Sequence, residues 1–234
     1  RAHPDSRQVH CFARGLWRVA AADVSAGNHC ALLRDGAAAF DAMLAIIESA
    51  HHSIDFECYI FRGNDEIGQR FVQGLLEAAR RGVRVRLLVD WIGGRGTPRG
   101  VWAALHAGGV DVRIFSPLGF RSWLGLLPRD HRKLLVVDGK VGITGGIGIG
   151  HEWRLGSLGP KRRPWRDTVV QIHGPAAEAM ERAFDMMWLR AIGQGPTRRE
   201  QRRMVRAARN SWIDFTEALP ALVGIVEGEP GIDM

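Results

Sequence analysis

Lysine is nearly missing from this chain. Of 32 basic residues only Lys133, Lys140 and Lys161 are lysines, which leaves 29 arginines. A nucleotide bias in the source genome accounts for the arginines but not for the lysine kept at 133. Cysteine is scarce too. Cys11, Cys30 and Cys58 are odd in number and show no C-x-x-C spacing, so neither a cysteine zinc site nor a complete disulfide framework is indicated. The one tyrosine, Tyr59, and most of the eight tryptophans sit in helical or strand contexts, which argues against a base-stacking platform for nucleic acid. No apolar run approaches the roughly 20 residues of a membrane-spanning helix, and no charged start followed by an apolar core marks a signal peptide. The chain reads as cytoplasmic, soluble or peripheral to a membrane. It starts at Arg1 without a methionine, which leaves open a processed or truncated start and a lost N-terminal anchor.

What is present suits one α/β domain: 234 residues, 46% hydrophobic, with a net charge of +7 that favours anionic partners such as phospholipid head groups, nucleic acid or phosphorylated metabolites. Residues 1–26 read as a loosely ordered lead-in. Ala37–Ala50 places Phe40, Met43, Leu44 and Ile47 at helical spacing after an Asp35-Gly36 turn. In Ser53–Phe61, Ile54, Phe56, Cys58 and Ile60 alternate with Asp55, Glu57 and Tyr59, as in a strand with two unlike faces. Asn64-Asp65-Glu66 caps a helix with an apolar stripe at Ile67, Phe71, Leu75 and Leu76, closed by Arg80-Arg81-Gly82. Further strands are expected at 83–90, 110–115, 134–137, 141–144 and 168–172, and helices from Pro98 and from Pro175. Strands separated by helices imply a largely parallel or mixed central sheet with helices on both faces. Ser116–Pro128, rich in Leu, Phe and Trp, reads either as a partly buried loop or as an apolar lip that dips into a bilayer. The segment 193–234 reads as a basic helix or linker toward something beyond it.

Chemistry concentrates in Asp130-His131-Arg132-Lys133-Leu-Leu-Val-Val-Asp138-Gly139, followed by Gly145-Gly146. On a strand, His131 and Lys133 point to one face while the apolar run anchors them in the core. A neutral imidazole is a nucleophile for phosphorus, and an adjacent ammonium stabilises charge on the non-bridging oxygens without a metal or cofactor. Asp138 falls on the opposite parity, which suits fixing a turn or a supporting hydrogen bond better than proton transfer. Gly145 and Gly146 would let backbone N–H groups approach a phosphate closely.

This pattern, H-x-K-x4-D-x6-G-G, resembles the HKD signature of the phospholipase D superfamily, which includes cardiolipin synthases, phospholipases D, phosphatidylserine synthases and some nucleases. Asp35–Phe40, Phe56–Phe61, Arg84–Trp91, Thr144–Ile149, Trp165–Thr168 and Gly174–Ala176 look like the first half of a bacterial cardiolipin synthase, a likeness running from about residue 27 to 190. The resemblance implies a phospholipase D-like fold over 27–192, with His131, Lys133 and Asp138 as the catalytic motif. His131 would form a phosphohistidine and Lys133 would bind the phosphate. Asp167 would orient a catalytic histidine, or else it is a strand-edge carboxylate paired with an arginine neighbour. Glu57 and Glu152 would line the cleft.

Two departures stand out: Gly148 replaces the asparagine of the family's G-G-x-N pattern, and His151 stands where cardiolipin synthases commonly carry Asp. The resemblance also implies two motifs per active site, and none of the other eight histidines has a lysine two residues on. A second half in the same parent chain, or a homodimer partner, would complete the site. The implied activity is phosphatidyl transfer between phosphatidylglycerol-like lipids at a membrane surface, or hydrolysis by the same path. The alternatives are a metal-independent nuclease working as a homodimer and a non-catalytic membrane-binding remnant.

Overall fold

The computed structural model describes residues 25–116, 129–154 and 164–193. Most of the lead-in, the apolar loop over 117–128, and the arginine-rich and C-terminal segments beyond 193 lie outside the described residues. Residues 29–195 form one compact unit.

Strand β1 (His29–Arg34) runs into helix α1 (Asp35–Glu48) and is followed by β2 (Ser53–Cys58), α2 (Glu66–Arg80), β3 (Arg84–Asp90), a four-residue helix α3 (Trp91–Gly94), α4 (Arg99–Ala107) and β4 (Asp111–Phe115). Then come β5 (Leu134–Val137), β6 (Val141–Gly145), a single 3-10 turn at His151–Trp153, β7 (Thr168–His173) and α5 (Pro175–Ala191). Among the described residues the strands form one sheet in the order β1-β7-β6-β5-β2-β3-β4. The β2–β3–β4 pairings are parallel, because a helix connects each strand to the next, and the other pairings are antiparallel. The sheet is therefore mixed, with its parallel part confined to the βαβ segment.

Helix α2 shows how closely local chemistry sets the elements. Asp65 accepts a hydrogen bond from the Gly68 N–H at 2.7 Å, satisfying a donor that the first turn leaves open. Gly82 ends the helix with φ of +86°, and the Val83 N–H closes back on the Ala78 carbonyl at 3.1 Å. The stripe of Ile67, Phe71 and Leu75 is fully buried. With Phe40, Met43 and Ile47 of α1, it covers the sheet face formed by Ile54, Phe56, Val85, Leu87 and Val89. Each such side chain contributes about 2 kcal/mol by leaving water. On the other face, Phe184 and Trp188 of α5 pack on Leu88, Phe115, Leu134 and Val136. Both faces are covered, so all six residues of β2 are buried, Asp55 and Glu57 included.

Two elements differ from the sequence expectation. The first is β1, a strand that the pattern of His29-Cys-Ala-Leu-Leu-Arg34 does not signal: it is an edge strand with Leu32 66% exposed, held by its ladder to β7 rather than by a buried face. The second is the stretch that carries His131 and Lys133. It precedes β5, which begins only at Leu134, and belongs to no strand.

Candidate active site

The antiparallel pairing of β5 with β2 sets Leu134 opposite Glu57, so the start of β5 lies beside the end of β2. Leu134 also pairs with Thr144 of β6, and Gly145 pairs with Val169 of β7. His131, Lys133, Tyr59, Gly145, Gly146 and Asp167 thus gather where β2 and β6 end and β5 and β7 begin, at one end of these strands. Ligand-binding groups collect at strand ends for a plain reason: the rigid ladders fix positions and the connecting loops supply free side chains.

His131 is exposed, whereas Lys133 is buried. The ammonium of Lys133 lies 3.2 Å from Nδ1 of His131 and donates to the His131 carbonyl at 2.6 Å. The Lys133 carbonyl in turn accepts a hydrogen bond from the Thr144 hydroxyl at 2.9 Å. Tyr59 backs the pair, with its ring centroid 4.7 Å from that of His131 and 5.4 Å from the Lys133 nitrogen. Burial pulls the Lys133 pKa below its ordinary value, and the nearby Asp130 and Asp167 charges oppose that pull. The result is a fixed cation at the base of an exposed imidazole, an arrangement suited to an anionic tetrahedral group.

The paired glycines have a steric reason to be glycines. A side chain at Gly146 would overlap the Asp167 carboxylate, and one at Gly145 would stand 2.7 Å from the Thr168 carbonyl. Asp167 is held by the Thr168 N–H at 2.7 Å, and its own carbonyl accepts from the Asp35 N–H at 2.9 Å. Among its arginine neighbours, Arg166 pairs instead with Asp35, at 3.8 Å.

Asp138 lies elsewhere. It sits at the far end of β5, where Asp138 and Gly139 take φ of 53° and 63° in the tight turn to β6. Four strand residues at about 3.3 Å each separate it from the His131–Lys133 end. Its carboxylate accepts hydrogen bonds from the backbone N–H groups of His51, His52 and Ser53 at 3.0, 2.7 and 2.8 Å, tying the β5–β6 turn to the start of β2. Grouping it with the catalytic residues is therefore corrected: Asp138 serves the architecture that holds β5. Burial alone would raise its pKa, but the three N–H donors outweigh that and hold it below the usual carboxylate value. A depressed folded pKa contributes stability above the unfolded value of 3.8, lost as pH falls through the lower folded value. Asp138→Asn is expected to cost about 2 kcal/mol at neutral pH, with the gap to wild type narrowing in acid, as chemical denaturation at several pH values would measure.

Glu57 is corrected as well. It does not line a cleft but is wholly buried, gripping Arg132 through two bonds of 2.7 and 2.8 Å, and Arg132 also donates to the Ala183 carbonyl of α5 at 2.9 Å. Burial drives the Glu57 pKa up to about 8; the neighbouring Asp130 carboxylate adds to the rise, and Arg132 counters it. Asp130 is itself buried, its N–H donating to Asp90 at 2.9 Å. Sequence reasoning missed Arg132, Asp130, Asp90 and Tyr59. Their signal was available only as polar residues on or beside strands whose second face turns out to be covered.

Glu152 belongs to a different cluster. It pairs with Arg62 at 3.2 Å, beside His151, which bonds Asp65 at 3.0 Å. Donor atoms of Asp65, His151 and Glu152 lie within 4.8 Å of one another, close enough to share an ion. Asp65 is already engaged by the His151 N–H and by the cap of α2, and Glu152 by Arg62. At Gly148 the space of the missing asparagine is filled: a Cβ there would stand 2.7 Å from the Trp153 ring and 3.0 Å from the Ile60 Cβ. Gly148→Asn is expected to destabilise the fold by about 1–3 kcal/mol in a thermal melt, because the buried indole has nowhere to go.

Comparison with known proteins agrees with this architecture. The family model for the cardiolipin synthase, phospholipase D-like domain matches residues 43–188. Among curated relatives, cardiolipin synthase A of Pseudomonas putida (strain W619) is 35% identical over 192 residues, covering 81% of this chain and 39% of the relative. The cardiolipin synthase of Geobacillus kaustophilus is 36% identical over 184 residues, covering 77% and 36%. The chain thus spans less than two fifths of the length of these relatives. Among solved structures, Nuc of Salmonella typhimurium, a phospholipase D family member, superposes with a TM-score of 0.52 at 22% identity, covering 69% of this chain and 95% of that one. With the family model matching well over half of its residues and the strand ends built as described, the chain belongs to the phospholipase D-like domain family of the cardiolipin synthases.

Proposed function

We propose that this chain supplies one half of the active site of a phosphatidyl-transfer enzyme, with His131 as nucleophile. The observation that carries the reading is the contact between the exposed His131 ring and the buried Lys133 ammonium, 3.2 Å apart. An incoming phosphodiester draws the ammonium onto its non-bridging oxygens, and the ring is released to attack. A His131 ring nitrogen bonds to phosphorus, the bond from phosphorus to the leaving glycerol oxygen breaks, and that oxygen takes a proton from a second histidine. A glycerol hydroxyl of another lipid then gives its proton to the second histidine, bonds to phosphorus and frees His131. Water in place of that hydroxyl gives hydrolysis.

The second histidine comes from a further HKD half of a longer parent protein or from a second copy of this chain. The net charge of +7 suits an anionic lipid surface, and among the described residues no helix is long and apolar enough to cross a membrane. We read the domain as acting peripherally, at the cytoplasmic side. The test is to incubate the parent protein with phosphatidylglycerol labelled in its phosphate and to look for cardiolipin, phosphatidic acid and label trapped on His131. Absence of every lipid product and of the trapped adduct overturns the reading. The +7 charge and the single motif also suit a dimeric nuclease. Cleavage of DNA in EDTA with no lipid turnover would favour that instead.

A further inference from the structure

Arg132 stands between the two residues of the proposed phosphate site, yet it points away from both. Its Nε donates to Glu57 Oε1 at 2.7 Å and lies 3.9 Å from Asp130 Oδ1. Two acidic side chains thus converge on one guanidinium, and both are almost wholly buried, at 0% and 2% exposure. One Asp130 oxygen accepts the Arg132 backbone N–H at 3.2 Å. The other, Oδ2, is buried and has no hydrogen-bond partner. An orphaned carboxylate oxygen in a dry site costs a large share of its hydration energy. Two ionised carboxylates this close would add mutual repulsion.

The surroundings offer little else to resolve the conflict. From β2 comes the buried Cys58, whose thiol burial pushes up, so it brings no charge. From β3 comes Asp90, engaged by the Asp130 N–H at 2.9 Å and by Arg129 at 3.4 Å. From α5 comes the Ala183 carbonyl, an acceptor only. Lys133 is turned to the His131 carbonyl and ring.

We propose that Glu57 and Asp130 hold a single proton between them, Glu57 donating to Asp130 Oδ2, and that with Arg132 they form a buried clamp fixing the peptide that presents His131 and Lys133. One proton satisfies the orphaned oxygen, removes the repulsion and leaves one negative charge against one guanidinium. Arg132 is then pinned to β2 and α5, and the residues on either side of it are set toward the cleft. Glu57, Asp130 and Arg132 are positioning residues, and this role rests on the reading of His131 and Lys133 as the phosphate site.

The test combines infrared spectroscopy of the chain with turnover by the parent protein, for wild type, Glu57→Gln, Glu57→Leu and Asp130→Asn. At neutral pH wild type is expected to show the carbonyl stretch of a buried protonated carboxyl, and Glu57→Gln to lose it. The amide of Glu57→Gln can still donate to Asp130 through its nitrogen and accept from Arg132 through its oxygen, losing one of the two Arg132 bonds but keeping the link, so kcat stays within about threefold. Glu57→Leu leaves Arg132 and Asp130 without that link, and kcat is expected to fall about 100-fold with KM little changed, as misplacement of a reacting group by an ångström does. A wild type lacking the carboxyl band overturns the shared proton. Glu57→Gln as damaged as Glu57→Leu, or Glu57→Leu with unchanged kcat, overturns the clamp. If wild type turns over no phosphodiester, the reading of His131 falls, and the band in wild type and Asp130→Asn alone decides the shared proton.

Discussion

His131→Ala is expected to lower phosphodiester turnover by at least about 10⁴-fold while leaving the melting temperature nearly unchanged. The two halves of that result have separate causes. His131 is exposed, and among the described residues its ring meets Tyr59 and the Lys133 ammonium, so its loss removes little packing. Chemically the loss is not made good, because in the proposed reaction the imidazole itself bonds to phosphorus. Lys133→Ala is expected to behave differently. Lys133 is buried and bonded to the His131 carbonyl, so removing it costs both phosphate stabilisation, about 10²–10³-fold in kcat, and some stability. Lys133→Arg is not expected to rescue it. A planar guanidinium is larger than the ammonium it replaces and cannot sit between the His131 ring and its carbonyl. Kinetics on labelled phosphatidylglycerol with a parallel thermal melt would separate the cases, and turnover by His131→Ala equal to wild type would rule out the histidine as nucleophile.

How much of this was legible in the sequence follows from which residues act through their own chemistry. Helix α2 was fully readable, because a capping Asp65, a 3.6-residue stripe and a terminal Gly82 are local signals that tertiary packing does not override. The His131–Lys133 pair was readable for a similar reason: side chains two residues apart can meet even where the segment joins no strand ladder, and here they do. Helices on both faces of the sheet were expected, but which residues would cover the second face of β2, and how completely, was not readable. Alternation of Ile54, Phe56 and Cys58 with Asp55, Glu57 and Tyr59 signals one wet face, and only α5, arriving more than a hundred residues later, turns that face into an interior. Glu57 thereby changes from a cleft residue to a buried anchor. Asp138 was readable in part, since its parity suited fixing a turn, but the groups it binds were hidden. Its nearness to the motif in sequence becomes distance in space once β5 extends between them, and its partners His51, His52 and Ser53 lie more than eighty residues back. The strand β1 escaped because an edge strand with an exposed Leu32 carries no burial pattern to detect.

Gly93→Ala is expected to be strongly damaging although it lies outside the site, while Gly74→Ala, an identical chemical change, should stabilise the protein. Both glycines lie in helices, Gly93 in α3 and Gly74 in α2. At Gly74 an added methyl meets only Ile47 Cγ2 at 3.4 Å and Leu44 Cδ2 at 3.8 Å, which is ordinary packing. The methyl also removes backbone freedom from the unfolded chain, so a gain of about 0.5–1 kcal/mol is expected. At Gly93 the methyl would overlap the Tyr59 carbonyl and stand 3.0 Å from the Ile60 nitrogen. Those atoms are backbone continuing from β2, so no rotamer change can relieve the clash. Either α3 lifts from the sheet or the Tyr59 peptide moves, at a cost of about 3 kcal/mol. Movement of that peptide carries the Tyr59 ring away from His131 and Lys133, which it backs at 4.7 and 5.4 Å. Turnover per folded molecule is therefore expected to drop about 100-fold, in the manner of a reacting group displaced by an ångström. Thermal melts of the two variants beside wild type, with kcat measured well below both midpoints, would show the opposed shifts. A Gly93→Ala protein as stable and as active as Gly74→Ala would mean that α3 does not brace Tyr59.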